Sequence, residues 1–116
     1  MFKNHLKKLL DAGKPAFGIQ VRFGSPAIVE MAGLAGFDWV LIDSEHAPQT
    51  PVTIQGQLQA AGCTPVTPVV RIGKNDPALI RLYLDMGARG IAVPFINTSE
   101  EARLGAEACR YPPRGT

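Results

Sequence analysis

An unbroken apolar run at residues 39–42 is followed at once by three ionisable residues, Asp43, Glu45 and His46. Such a run suits a strand that is buried on both faces of a parallel sheet. Pro48 then stops the strand from continuing. Because ligands in parallel α/β folds bind beyond the carboxyl ends of the strands, this segment predicts a buried strand and the edge where a site is built.

Helix-like and strand-like segments alternate along the rest of the chain, with a cap or proline before each helix and a glycine after it. In the first helix, Phe2, Leu6, Leu9 and Leu10 recur at helical spacing, and Gly13 follows. The predicted helices cover residues 2–12, 26 to about 34, 51–61, 77 to the glycine at 87, and 99 to about 110. The predicted strands cover residues 16–23, 39–42, 65–72 and 89–95.

This alternation predicts an α/β fold with a parallel sheet, built from a leading helix and four β-α units. The 116 residues fit two architectures, a small open α/β sheet or the front half of a (β/α)₈ TIM barrel, which typically needs about 250 residues. Pro68 argues against the third strand as a central one. We keep that strand because the alternation requires it, and treat residues 1–116 as a single incomplete domain.

Composition excludes several classes of function. A formal net charge of +2 is too small to indicate nucleic acid or a membrane surface as a partner. The start of the chain has no long apolar stretch, so we expect neither a secretory signal nor a membrane span, and a soluble cytoplasmic protein follows. Cys63 and Cys109 lie far apart without metal-site spacing. They predict free thiols in a reducing compartment.

Candidate catalytic residues cluster where two predicted neighbouring strands end. Asp43, Glu45 and His46 follow one strand and Arg71 ends the next. Adjacent strands lie about 4.8 Å apart, so these side chains can converge. A histidine, two carboxylates and a guanidinium suit an anionic substrate, since arginine matches a carboxylate or an enolate oxygen. The alternatives are a structural His46 and an Arg71 that only forms an ion pair with Asp43 or Glu45.

Asp85 is unusual because it comes just before the glycine that ends a helix, where a carboxylate meets the negative end of the helix dipole. Arg81, four residues earlier, is one compensating partner. The other interpretation is that Asp85 turns inward and hydrogen-bonds a histidine, raising its basicity and fixing its tautomer.

Several familiar signatures are missing: the chain has no P-loop, no GxGxxG, no CxxC and no pair of histidines at metal-ligand spacing. Residues 24–26 could hold an anion at a helix N-terminus, but a helix cap is the simpler interpretation.

An ordered set of motifs resembles one known family. FDWVLIDSEHAP at 37–48 is followed by PVVR at 68–71, NDP at 75–77, LDMGARGIAVP at 84–94, and then EEAR and RYPPRG. The set resembles the HpcH/HpaI-type class II pyruvate aldolases, which cleave 4-hydroxy-2-oxoheptanedioate and 2-keto-3-deoxy sugar acids. The resemblance covers nearly the whole chain. It implies a (β/α)₈ barrel and a divalent metal, Mg²⁺, Mn²⁺ or Co²⁺. It also implies a 2-oxo acid and an aldehyde as partners, reversible release of pyruvate, and a homo-oligomer for the full-length form.

The resemblance also implies residue roles. His46 is similar to the family's catalytic base, Asp85 to the acid that makes this histidine more basic, and Arg71 to the arginine that steadies the pyruvate enolate. Asp43 and Glu45 resemble acids around the metal and its waters. The direct metal ligands and a pyruvate-binding glutamine have no counterpart here, so we expect the metal ligands beyond residue 116 and a poorly active isolated chain.

Two departures from the family pattern are Ser44, where glycine is common, and residues 72–74 after the arginine. Two rival interpretations remain. One is a citrate-lyase-like carbon–carbon lyase that uses a coenzyme A thioester, against which the EHAP block argues. The other is a truncated, non-enzymatic binding or assembly module that associates through its open sheet edge.

Overall fold

The computed structural model describes residues 3–115, which form nine alternating elements. Phe2, assigned from the sequence to the first helix, lies outside the described residues. The helices are α1 (His5–Asp11), α2 (Pro26–Leu34), α3 (Pro51–Ala61), α4 (Pro77–Asp85) and α5 (Ser99–Ala108). The strands are β1 (Gly18–Val21), β2 (Trp39–Asp43), β3 (Thr67–Arg71) and β4 (Gly90–Ala92).

Short polar side chains begin the helices as the sequence predicts. Ser25 accepts a hydrogen bond from the Ile28 backbone N–H, which confirms residues 24–26 as a cap. Asp76 and Thr98 cap α4 and α5 in the same way, and Glu101 completes a capping box with Thr98. These side chains satisfy backbone donors that have no partner within the helix.

The strands are shorter than predicted, and β4 shows the reason most clearly. It ends at Ala92 instead of continuing to Phe95. Pro94 has no backbone N–H to donate to a ladder. Phe95 then takes a positive φ of 56°, which is incompatible with an extended strand. The chain therefore leaves the sheet two residues after Ala92 and turns toward α5.

All four strands lie parallel in one sheet, in the order β1-β2-β3-β4. The register places Asp43 opposite Arg71 and Arg71 opposite Ala92. The predicted parallel sheet is confirmed, and the strands follow one another in chain order. Its consequence is that the carboxyl ends of β2 and β3 stand side by side.

The two faces of the sheet differ sharply in burial. Val40, Ile42 and Val70 are fully buried against the helices and form the centre of the hydrophobic core. Leu41 and Val69, which alternate with them, are only half-buried on the opposite face. Side chains in a strand alternate between faces, so residues 20, 41, 43, 69 and 71 share this more open face.

Pro68 lies within the central strand β3, where proline is rarely tolerated. Its carbonyl accepts a hydrogen bond of 2.9 Å from the Arg89 N–H, so its backbone polar groups are directed toward β4. β4 begins only at Gly90. The donor that proline lacks therefore falls at the end of the β3–β4 ladder, where its loss interrupts nothing.

Two further sequence predictions concern the cysteines and the membrane. Cys63 and Cys109 are free and exposed, which confirms that they do not form a disulfide. Within residues 3–115, every helix is too short or too polar to cross a bilayer.

At Gly33, α2 packs closely against the turn after α3. A Cβ at this position would lie 2.0 Å from Thr64 Oγ1, a distance that forces a shift. We expect Gly33→Ala to lower the free energy of unfolding by about 1–3 kcal/mol, despite the better helix propensity of alanine. Urea denaturation measures the change. Gly73→Ala is the control, since its Cβ would meet nothing within 4 Å. An unchanged Gly33→Ala midpoint would contradict the close packing.

Candidate active site

The candidate site lies at the carboxyl edge of the sheet, on its open face. β2 and β3 end there at Asp43 and Arg71, which are register partners. Gln20 of β1 points to the same face and donates a hydrogen bond of 2.9 Å to Asp43 Oδ2. Three neighbouring strands therefore deliver polar side chains to one point.

Asp43 is the centre of this cluster and is completely buried. Arg71 holds it in a two-point pair, with Nε 3.1 Å from Oδ1 and Nη2 2.7 Å from Oδ2. The backbone N–H groups of Glu45 and His46 also donate to Oδ1, at 2.9 and 3.1 Å. These bonds use the lone pairs of both carboxylate oxygens, which explains how a buried carboxylate is tolerated here.

The pair shifts the ionisation of both partners. The hydrogen bond from Arg71 is the largest cause that holds the pKa of Asp43 well below its ordinary value, and burial opposes it. The His46 and Glu45 backbone donors and Gln20 lower the pKa of Asp43 further. The pKa of Arg71 is raised in turn, chiefly by its hydrogen bond to Asp43. Both shifts favour the charged forms, so Asp43 is a carboxylate and Arg71 a cation at neutral pH.

The loop after β2 is fastened to the carboxyl ends of β3 and of β2 itself. The Ser44 hydroxyl donates to the Arg71 carbonyl at 2.6 Å, and the Ser44 N–H donates to the same oxygen at 3.0 Å. Gln49 donates from its side chain to the Asp43 carbonyl at 2.9 Å. The buried Gln57 of α3 donates to Gln49. The segment that carries His46 is thus tied down at its start and near its end.

Glu45 is the carboxylate that meets His46. Glu45 Oε1 lies 3.0 Å from His46 Nε2, and the Glu45 side chain is only 11% exposed, whereas the His46 side chain is 57% exposed. The same oxygen lies 3.6 Å from Arg71 Nε. The structure therefore brings Asp43, Glu45, His46 and Arg71 together, as the sequence predicts. It leaves the imidazole open to a ligand while Glu45 orients it.

Asp85 lies outside this cluster, which corrects the expectation that it turns inward to hydrogen-bond a histidine. It is the last residue of α4 and accepts a hydrogen bond of 2.8 Å from the Tyr111 hydroxyl. α4 runs back from the carboxyl to the amino edge of the sheet, where Arg89 pairs with Pro68. Strand β3 separates the two edges by about 13 Å. The helix direction thus places Asp85 at the opposite edge from His46.

Two site residues, Gln20 and Arg22, are absent from the sequence predictions. Arg22 Nη2 donates to the His46 carbonyl at 3.0 Å, and Arg22 Nε lies 3.8 Å from Asp43 Oδ2. Period-two alternation along β1 was the available signal, because residues 18, 20 and 22 share one face and residue 22 lies at the carboxyl end.

The residues present do not fit a complete metal site. No group of three or more His, Cys, Asp or Glu side chains in residues 3–115 could hold a metal ion. The oxygens of Asp43 are occupied by Arg71, Gln20 and two backbone donors, and Glu45 Oε1 contacts His46 and Arg71. Both acids therefore serve the ion-pair network in this chain.

A parallel β-α sheet with a polar site at the carboxyl edge of its strands is the arrangement of the βα-barrel enzymes. Comparison with known proteins identifies the family: the model of the HpcH/HpaI aldolase/citrate lyase family matches residues 17–116. The chain belongs to this family, as its motifs predict.

Curated relatives are similar over nearly the whole chain. A pyruvate aldolase of Rhizobium etli is 44% identical over 112 residues, which is 97% of this chain and 44% of that relative. A 4-hydroxy-2-oxo-heptane-1,7-dioate aldolase of Klebsiella pneumoniae is 46% identical over 112 residues, again 97% of this chain and 42% of the relative. The chain thus spans less than half the length of these relatives.

Solved structures agree on the fold. A HpcH/HpaI aldolase/citrate lyase family protein from Burkholderia cenocepacia J2315 superposes with a TM-score of 0.91 at 36% identity, covering 98% of this chain and 47% of that one. The citrate synthase SbnG gives a TM-score of 0.90 at 33% identity, covering 97% and 46%. Of the two architectures predicted from the sequence, the N-terminal half of a TIM barrel is confirmed, and the small open sheet is not.

The depressed pKa of Asp43 predicts how stability depends on pH. The pKa of an aspartate in an unfolded chain is about 3.9, and the pKa of Asp43 in the folded chain is lower. The ionised Asp43 therefore contributes its full stabilisation above the unfolded pKa, and this contribution is lost as the pH falls toward the folded pKa. We expect Asp43→Asn to flatten the acid limb of a urea-denaturation series between pH 7 and pH 3. Asp11→Asn, at an exposed surface pair, is the control. An unchanged acid limb in Asp43→Asn would contradict the assignment.

Proposed function

We propose that this chain carries part of the active site of a class II aldolase that reversibly cleaves a 4-hydroxy-2-oxo acid to pyruvate and an aldehyde. The observation that supports this most is the convergence of Arg71 and His46 at the carboxyl edge of a family-typical sheet. A fixed cation beside an exposed imidazole matches the two needs of the reaction, which are enolate stabilisation and proton transfer.

Arg71 serves the pyruvate half of the substrate in this proposal. Asp43 fixes the guanidinium through two hydrogen bonds, so little side-chain entropy is lost when a ligand binds. The Arg71 side chain remains 26% exposed, which leaves it accessible from the mouth of the sheet. A preorganised cation stabilises the negative charge that develops on the enolate oxygen as the carbon–carbon bond breaks.

His46 moves the proton of the aldol hydroxyl. In the cleavage direction the imidazole removes this proton, directly or through a water molecule, and the C3–C4 bond breaks to release the aldehyde. Glu45 at 3.0 Å orients the ring and stabilises the imidazolium that forms.

The proposed function implies a divalent cation, Mg²⁺, Mn²⁺ or Co²⁺, and we propose that side chains outside residues 3–115 would supply its direct ligands. When bound, such a cation polarises the 2-oxo group. Because Asp43 and Glu45 are engaged with Arg71 and His46, we propose that they support such a site rather than supply its direct ligands. The isolated chain should then turn over pyruvate and an aldehyde poorly, even with Mn²⁺ present, and robust turnover would contradict this.

The base assignment is tested in a longer version of the chain that supplies the remaining strands. We expect His46→Ala to lower kcat for pyruvate release by about 10²- to 10⁴-fold, and Glu45→Gln to lower it less, because only the former removes the base. Lactate dehydrogenase coupled to the release of pyruvate gives the rate. His5→Ala, which removes a histidine paired with Asp38 at the other edge, is the matched control. Full activity of His46→Ala would remove the assignment.

Asp85 can act on His46 only from a second copy of the chain, because α4 directs it away from the site of its own chain. A homo-oligomer with this arrangement makes a specific prediction for the longer version. His46→Ala and Asp85→Asn variants, each inactive alone, should regain activity when unfolded and refolded together, since mixed oligomers contain one intact pair. Normal activity of Asp85→Asn alone would exclude a catalytic role for Asp85.

A second candidate function is a citrate-lyase-like or citrate-forming enzyme, which the similarity to the citrate synthase SbnG favours. Both reactions need an enolate and its stabilising cation, so Arg71 serves either one. Supplying the longer version with a 4-hydroxy-2-oxo acid and, separately, with a coenzyme A thioester decides between them. Cleavage of the free acid alone supports the aldolase.

A further inference from the structure

Arg22 is a second guanidinium at the carboxyl edge of the sheet, and it forms no hydrogen bond of its own with the Asp43 carboxylate. Its side chain is 58% exposed, and Nη2 holds the His46 carbonyl at 3.0 Å. Nε stands 3.8 Å from Asp43 Oδ2, which is too far for a hydrogen bond. A guanidinium has five N–H donors, so most of its donor capacity is left over after the contact with His46.

Asp43 cannot take up this capacity. Its Oδ2 already accepts from Arg71 Nη2 at 2.7 Å and from Gln20 Nε2 at 2.9 Å. Its Oδ1 accepts from Arg71 Nε and from two backbone N–H groups. The charge of Asp43 is thus matched by Arg71. Arg22 stands beside a carboxylate whose acceptor sites are full, and its own side chain is more than half exposed.

We propose that Arg22 binds a second anionic group, a carboxylate, at the far end of the substrate. The inference rests on the proposed aldolase function and names the residue that would select among its substrates. If the 2-oxo acid end of the substrate lies at Arg71 and the aldol hydroxyl at His46, the part that becomes the aldehyde extends past His46. Arg22 contacts the backbone of His46 itself, so it stands where the end of that part arrives.

Charge and geometry favour a carboxylate as the group recognised. Arginine binds carboxylates through two parallel N–H···O bonds, and such charge-assisted bonds are stronger than neutral ones. The donors of Arg22 that are free of His46 can form this pair at the rim, where solvent screening moderates the gain. An aldehyde component without a negative charge would leave the Arg22 guanidinium solvated.

The competing explanation is purely structural: Arg22 clamps the loop that carries His46 through the His46 carbonyl. A clamp would affect every ligand of the site equally. A carboxylate-binding residue would affect only ligands with a second negative charge. A pair of ligands that differ in that charge alone therefore separates the two roles.

The test titrates the 116-residue chain with 2-oxoglutarate and with 2-oxopentanoate, followed by NMR. Both ligands have five carbons and the same 2-oxo acid head, and only the first has a second carboxylate. We expect 2-oxoglutarate to bind about tenfold more tightly. Arg22→Gln should remove this preference while leaving 2-oxopentanoate binding unchanged, and Arg22→Lys should keep part of it. Lys74→Gln, an exposed cation after β3, controls for a general charge effect.

Each outcome is decisive. Equal affinity for the two ligands, or an Arg22→Gln variant that weakens both alike, overturns the proposal and leaves the aldolase function standing. Absence of binding by either ligand overturns the carboxylate site. The function is tested separately by Arg71→Gln, which should abolish binding of 2-oxopentanoate. If that variant binds normally while the Arg22-dependent preference persists, the function fails and the carboxylate site survives.

Discussion

The buried carboxylate of Asp43 is the constraint on which the site depends. A carboxylate without solvent is stable only if its charge and lone pairs are met, and here they are met from three strands and a loop. Removing Arg71 alone would leave an uncompensated buried charge, which costs about 3–5 kcal/mol. The Asp43–Arg71 pair therefore stabilises the folded chain at this edge of the sheet, and it also fixes the orientation of the Arg71 guanidinium.

Burial on the other face of the sheet supplies the stability that this polar cluster needs. Val40, Ile42 and Val70 lie fully buried under the helices, and each neighbours a residue that points to the open face. Because the register is fixed by this apolar face, a slip of one residue would carry Asp43 into the core and Ile42 into the site. The hydrophobic pattern of β2 therefore also determines where the chemistry sits.

The sequence predicted most of this architecture because its signals are local and repeated. Prolines, capping side chains and glycines marked the helix ends, and an apolar run marked β2. Strand ends were less predictable, since the positive φ of Phe95 that ends β4 leaves no clear pattern. The position of Asp85 was missed because the sequence motif does not show at which edge of the sheet a residue lies. α4 runs back across the sheet before β4 begins, so its last residue lies at the amino edge. Arg22 was missed because its strand is short and the acids after β2 gave a stronger signal.

The distribution of charge between the two arginines follows from the same buried pair. Arg71 is held by Asp43 through two hydrogen bonds, which fix the direction in which its guanidinium faces a ligand. Arg22, at 3.8 Å from the same carboxylate and half-exposed, keeps its charge available at the rim. In the proposed function, an anion that enters the site would meet the more exposed Arg22 before the more buried Arg71. In this arrangement the exposed Arg22 would attract the anion electrostatically, and Arg71 would then position it beside His46 and Glu45.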